Sequence, residues 1–448
     1  MNMKKFLILL ALGFIGLQGS GQDLNKKLDS LMTVYYRLEK FNGTVLVAKD
    51  GNIIFQGAYG YRDADKKIPN DPQTIFQIGS VTKQFTTAIL LKLHEQNKLS
   101  LKDKLSKYIP DYPKGDSLTL DAIASHTAGI FNYTNDPAFM ATEATKAIDH
   151  LKLIDLFKNK PLTFTPGSKW AYSNSGYIIL GYVIEKVTGK TYEQVVHEMI
   201  FRPLQMNRSG FDFANLKDSN KATGYNVLTG DMVVPASIVD STVSYAAGAI
   251  YSTIGDLYRW HRALNENQIL NRDLQQLAYQ PVRAQYGLGW FVDSFDHKLQ
   301  VSHGGGIFGF TAFISRIPKD DFVVILLNNS GAGNLQAISN TIRSAVYGKP
   351  YVLPKEKPSI TLADSVLKKY EGTYALAPGF AITVTLENGK LMAQATDQPK
   401  FQLFAERENY FFLKAVEAQV EFVKGSDGKV ESMILHQGGR NVPGKKIR

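Results

Sequence analysis

Ser80-Val81-Thr82-Lys83 sets two reactive side chains at a useful spacing. Residues three apart on a helix share a face, so the Lys83 amine can reach the Ser80 hydroxyl. Serine is a weak nucleophile at neutral pH and needs a base within hydrogen-bond reach. Lysine can be that base if desolvation lowers its pKa towards neutrality. A helix N-terminus would add a backbone N–H and positive dipole where an oxyanion forms. The four-residue pattern alone is weak, since it recurs at Ser365 to Lys368 and Ser426 to Lys429. A serine opening a helix is also readable as an ordinary N-cap.

Two later segments add weight. Gly167-Ser168-Lys169-Trp170-Ala171-Tyr172-Ser173-Asn174 places a tyrosine and an asparagine two residues apart, just before a helical stretch. A phenol can relay a proton between nucleophile and leaving group if neighbouring ammonium charge stabilises its anion, and an Asn amide can bind a substrate amide. Val301-Ser302-His303-Gly304-Gly305-Gly306 ends an expected strand. Its glycines allow close backbone approach, so a substrate could lie along this edge as an added strand, with a backbone N–H as second oxyanion donor.

These groups need rigid elements to hold them. From Phe41 to Asp63 apolar and polar residues alternate around Asp50-Gly51, which reads as a β-hairpin with a tight turn. Residues Ser80 to Leu101 carry Val81, Phe85, Ala88, Ile89 and Leu93 at helical spacing, with Leu90 widening the apolar face, so a largely buried helix is expected. Further helices are expected at Ile148 to Asn159, Gly176 to Val187, Tyr192 to Ile200 and Thr253 to Asn265. Strands follow at Leu299 to His303, Phe310 to Arg316 and Phe322 to Asn328, then a helix from Asn334 to Val346. The economical fold is α+β, with the early hairpin beside the late strands in one antiparallel sheet, helices on its faces and a mostly helical insertion between. Pro350, Pro354 and Pro358 mark a linker, residues 348–360. Beyond it, after a short helix near Leu362 to Tyr370, residues up to 448 read as a small all-β barrel or sandwich with turns at Asn388-Gly389 and Gly425 to Gly428.

At 448 residues the chain suits two domains, the larger able to enclose a cleft. Lys4 and Lys5 precede an apolar run from Phe6 to Leu17 and the small residues Gly19, Ser20 and Gly21, which is the order of a signal peptide cleaved before Gln22. The expected mature protein is therefore exported, periplasmic or secreted, with no integral membrane span. There is no cysteine, which excludes disulfide and thiolate chemistry. The net charge of +10, falling to +8 once Lys4 and Lys5 leave, is spread as a solvated surface without the basic aromatic stripe of a nucleic-acid binder. No G-x-S-x-G elbow, dinucleotide fingerprint or phosphate loop occurs in the mature region, and His197-Glu198 lacks a second histidine four residues after the first. Neither a cofactor nor a catalytic metal is expected.

S-x-x-K, then Y-x-N, then an H-G-G segment, in that order, resembles the serine β-lactamase and penicillin-binding-protein superfamily, whose class C enzymes, DD-carboxypeptidases and esterases share the layout. The resemblance extends over residues 28–346 and takes in Ser125-His126-Thr127-Ala128-Gly129-Ile130, Pro166-Gly167, residues 246–252 and Tyr286-Gly287-Leu288-Gly289-Trp290. It implies a hydrolase domain at residues 22–347 and a C-terminal extension at 361–448. It implies Ser80 as acylated nucleophile, Lys83 as base, Tyr172 as proton shuttle and Asn174 as substrate contact. His303, Gly304, Gly305 and Gly306 would form the substrate-binding edge, with the N–H groups of Ser80 and Gly306 as oxyanion hole and His126 as a structural part of the cleft wall. Where β-lactamases carry Lys-Thr-Gly this chain has His303-Gly304-Gly305. A histidine of pKa about 6.5 supplies no permanent charge for a substrate carboxylate, so β-lactam hydrolysis is expected to be weak or absent. The expected activity is serine hydrolysis of a small ester or D-amino-acid peptide, cell-wall fragments included. The alternative is a non-catalytic module that binds penicillin or cell-wall peptide. The oligomeric state is left open.

Overall fold

The computed structural model describes residues 23–448 apart from 332, 397, 399 and 415–417. The expected signal peptide lies outside the described residues. The chain divides into two compact units with the boundary between Leu353 and Pro354.

The first unit is built on a six-stranded antiparallel sheet. Its strands are β1 (Gly43–Lys49), β2 (Asn52–Tyr59), β3 (Phe291–Phe295), β4 (Lys298–Ile307), β5 (Phe310–Ile317) and β6 (Phe322–Asn328). Their order is β2-β1-β6-β5-β4-β3, so the early hairpin joins the late strands as the sequence suggested. The hairpin turns at Asp50 and Gly51, both at positive φ (50° and 78°), which a two-residue turn of this hand requires. In β6 alternation decides which core each residue enters. Val323, Ile325 and Leu327 join the larger helical core, while Phe322, Val324 and Leu326 join a second core with Leu28, Leu31 and Met32 of the helix at residues 23–37. A strand apolar on both faces is the mark of a sheet covered on both sides.

Four helices bear on the site or its support: α1 (Thr82–Glu95), α2 (Asn174–Thr188), α3 (Ser241–Gly248) and α4 (Ile254–Asn265). A fifth, α5 (Leu335–Val346), covers the second core. Helix α1 is shorter than the expected 80–101. It stops because Asn97 takes φ 55° and the Lys98 N–H closes back onto the Leu93 carbonyl at 3.0 Å, a left-handed C-terminal cap.

The second unit is a closed antiparallel barrel of eight strands between Gly372 and Lys446, shut by the pairing of Tyr374 with Lys446 and of Ala375 with Lys445. Tyr370, Tyr374, Phe411 and Phe422 fill its interior, so it is a packed core. Closure removes the exposed edges that an open sheet of short strands would leave.

Candidate active site

Ser80 is held where strand β4 meets the start of α1. It lies in a one-turn 3₁₀ segment, Gly79–Val81, that feeds the helix. Two glycines permit the approach. Gly79 has φ +50°, and a Cβ there would meet the backbone N and O of Gly306 at 2.9 Å. A Cβ on Gly305 would meet the Ile78 carbonyl oxygen at 1.9 Å. From the other side, the Ile78 N–H donates to the Ile250 carbonyl at 2.9 Å. Ser80 does not cap the helix, since α1 has no side-chain cap. Its hydroxyl is free for Lys83.

The Lys83 Nζ lies 3.0 Å from Ser80 Oγ, 2.8 Å from Asn174 Oδ1 and 2.8 Å from the Ala247 carbonyl oxygen. The side chain is fully buried, and among the described residues no carboxylate pairs with it. Burial pushes its pKa well below the ordinary lysine value. A neutral amine has two N–H groups and one lone pair. The amide oxygens of Asn174 and Ala247 can only accept, so they take the two N–H groups, and the lone pair is left facing the Ser80 hydroxyl.

The Ala247 carbonyl is available because helix α3 ends at Gly248, and the last carbonyls of a helix have no intrahelical partner. Within the same helix Tyr245 breaks the regular geometry at φ 37°, ψ −133°. Ala246 O accepts from Thr86 Oγ1 at 2.6 Å, and Ala247 O accepts from Lys83. The break is supported by packing: the Tyr245 ring lies 3.6 Å from that of His150, and a Cβ on Gly181 would meet Tyr245 Cε1 at 2.4 Å. Strained backbone held by its surroundings next to reactive groups is a common mark of function.

Tyr172 is half-buried beside these groups, with Lys83 Nζ 4.8 Å from its ring centroid. Burial pushes its phenol above the ordinary tyrosine range, and the neighbouring Ser80 hydroxyl opposes that shift. Both shifts favour the uncharged forms, the Lys83 amine and the Tyr172 phenol, which suits the lysine expected as base. Asn174 opens α2. Its Nδ2 donates to Thr134 Oγ1 at 3.1 Å and its backbone N–H donates to Asn132 Oδ1 at 3.0 Å, which fixes the amide that holds Lys83. Ser80 and Asn174 open onto a cavity of about 380 Å³, whose walls include Tyr133, Met140, Val239, Val243, Ile307 and Phe308. None of the residues lining it is charged.

Residues 36–348 match the family model described as Beta-lactamase. The chain belongs to that family. Residues 356–446 match a second model, the domain of unknown function DUF3471. Over 443 residues this β-lactamase-family chain is 29% identical to penicillin-binding protein 4* of Bacillus subtilis (strain 168), covering 93% of this chain and 98% of that one. Its structure is similar to the octameric penicillin-binding protein homologue from Pyrococcus abyssi, with TM-score 0.66 and 25% identity over 94% of this chain and 99% of the other. A D-stereospecific amidohydrolase from Streptomyces sp. shares the fold, with TM-score 0.62, 23% identity, and 71% and 99% coverage.

Within this β-lactamase-family domain the Ser80–Lys83 pair and the Tyr172–Asn174 pair come together although 91 residues separate Lys83 from Asn174. The H-G-G segment behaves differently. Of His303, Gly304, Gly305 and Gly306, expected as the substrate edge, Gly306 lines the cavity. His303 is 1% exposed and turned inward. Its Nδ1–H donates to the Gly304 carbonyl at 2.6 Å, so Nε2 is bare and accepts from the Tyr286 hydroxyl at 3.0 Å. Burial is the main cause that pushes its pKa down to about 3, and protonation of the nearby Lys83 would act in the same direction. Gly304 faces Phe313, and Gly305 spaces β4 from Ile78. The motif thus shapes the strand through three of its residues and meets the cavity through one. Sequence reasoning missed Ala247, whose contribution is a backbone carbonyl without a side-chain signature, and Thr134, which braces Asn174. For Thr134 the polar run Asn132-Tyr133-Thr134 was the available signal.

Proposed function

We propose that the chain is an exported serine hydrolase that acts through a covalent Ser80 ester on amides or esters with a neutral, apolar acyl group. The observation that carries this reading is the Ser80 hydroxyl 3.0 Å from a buried amine whose two N–H groups are already committed. Ser80 passes its proton to Lys83 as Oγ attacks the carbonyl carbon. The N–H groups of Ser80 and Gly306 receive the oxyanion. As the tetrahedral species collapses, Tyr172 gives a proton to the departing amine or alcohol and is resupplied by the Lys83 ammonium, so the enzyme ends with its original proton count. Water then enters by the same steps in reverse and frees the acid.

The uncharged, largely apolar cavity walls support an acyl group such as that of a blocked D-amino acid or a small ester. His303, buried and neutral, offers no cation to a β-lactam carboxylate, which supports weak or absent lactamase action. Cell-wall peptides outside the cytoplasm are the natural setting for such a substrate, and the leader-like N-terminus of the sequence supports export. The test is labelling by an acylating ester probe, read by intact mass and peptide mapping. The modification should sit on Ser80 and vanish in Ser80→Ala. Undiminished labelling of that variant would overturn the assignment.

A further inference from the structure

We infer that His126, which the sequence reading left as part of the cleft wall, is the positioning residue for Tyr172. The inference rests on the role proposed above for that phenol. The backbone on either side of Tyr172 is tied to this one residue. The Ala171 N–H donates to the His126 carbonyl oxygen at 3.1 Å, and the Ser173 N–H donates to the His126 ring Nδ1 at 3.2 Å. Between those two anchors the His126 ring lies against the Tyr172 ring, centroids 4.3 Å apart. A phenol bracketed at both neighbouring amides and backed by a ring has little freedom to swing away from Ser80.

The cost of this arrangement argues that the Nδ1 contact matters. His126 holds φ at +60°, the left-handed region that non-glycine residues rarely adopt. Because a backbone N–H points at Nδ1, that nitrogen must be bare and the ring proton must sit on Nε2. Nε2 is buried and finds no hydrogen-bond partner among the described residues. Around it are the rings of Tyr286 at 4.8 Å, Tyr177 at 5.3 Å and Trp170 at 6.0 Å. An apolar ring would fill such a pocket without stranding an N–H, so packing alone gives no reason for a histidine. The bond to Ser173 does. Ser173 contributes no side-chain anchor of its own, its Oγ also lacking a partner among the described residues.

The experiment compares kcat and KM for an ester substrate in wild type, Y172F, H126F, H126N, H126Q and the H126F/Y172F pair. H126F keeps a ring and loses the Ser173 bond. It should lower kcat by about 10²-fold, the scale of a small misplacement of a reacting group, with KM moved less than about two-fold. Asn sets its amide oxygen near the place of Nδ1 and tolerates positive φ, so H126N should recover most of the rate. Gln reaches the place of Nε2 instead, so H126Q should not. The double variant should be no slower than Y172F alone. Wild-type kcat in H126F, equal rates in H126N and H126Q, or losses that multiply in the double variant would each overturn the proposal. If H126F fails to fold, the comparison of H126N with H126Q decides. A Y172F protein with undiminished kcat would instead remove the phenol's proposed role, whereas an impaired Y172F beside a normal H126F removes the positioning role alone.

Discussion

Replacing Gly305 by alanine puts a methyl group where the Ile78 carbonyl oxygen already lies, with only 1.9 Å between them and the Ser80 nitrogen 3.1 Å away. Ordinary contact begins at 3.4 Å, so strand β4 or the segment leading to Ser80 must retreat by about 1.5 Å. Neither partner is a flexible side chain. Forcing an extra methyl into packed structure costs about 1–3 kcal/mol, and a shift of this size at the nucleophile costs about 10²-fold in rate. Gly306→Ala is the internal control, because a Cβ there meets nothing within 4 Å and points into open space at the cavity. Its stability should stay within about 0.5 kcal/mol of wild type, while KM rises as the methyl takes room from substrate. Urea unfolding and ester kinetics on the two variants provide the comparison. A Gly305→Ala protein with wild-type midpoint and kcat, or a Gly306→Ala protein destabilised as much as its neighbour, would refute the reasoning that the glycines set the approach of β4 to Ser80.

Lys83→Arg puts a permanent cation in place of the amine and removes any reachable neutral form, so kcat/KM should fall by about 10²–10⁴-fold at every pH if the lysine is a base. In wild type, kcat/KM should be lost as pH falls through the Lys83 pKa, along a limb whose midpoint lies below the ordinary lysine value of 10.5, and a pH–rate profile without that limb counts against the neutral amine. Far from the cavity chemistry, Arg316 is 1% exposed; its guanidinium donates to His261 Nδ1 and to the Tyr279 hydroxyl, each at 2.9 Å. His261 in turn donates from Nε2 to Asp321 Oδ1 at 2.9 Å. Truncation to His261→Ala should cost about 1–3 kcal/mol by removing the acceptor of the buried Arg316 Nε–H, with kcat of the folded enzyme unchanged. An unaltered urea midpoint would show that the cation finds other partners.

Legibility in the sequence follows how local each constraint is. The S-x-x-K pair depends on helical geometry over three residues, and Ser80 and Lys83 meet as that spacing dictates. The hairpin was likewise placed beside the late strands by the economy of one sheet, since strands lie at both ends of this region, and the observed strand order agrees. The protonation states were not local. They depend on how deeply Lys83 is buried and on which acceptors consume its N–H groups, and those acceptors come from residues 174 and 247. The same holds for His303, which looked like a substrate contact on a glycine-rich edge. Its orientation is settled by the Tyr286 hydroxyl, 17 residues earlier in the chain. The most informative sequence feature was thus the order of three short segments, and what turns that order into chemistry is the end of helix α3, whose last turn presents the Ala247 carbonyl to the amine. Remove that acceptor and one Lys83 N–H is free to turn towards Ser80, so the lone pair no longer has to face the hydroxyl. Burial favours the neutral amine, and the acceptor at the end of α3 helps to aim its lone pair.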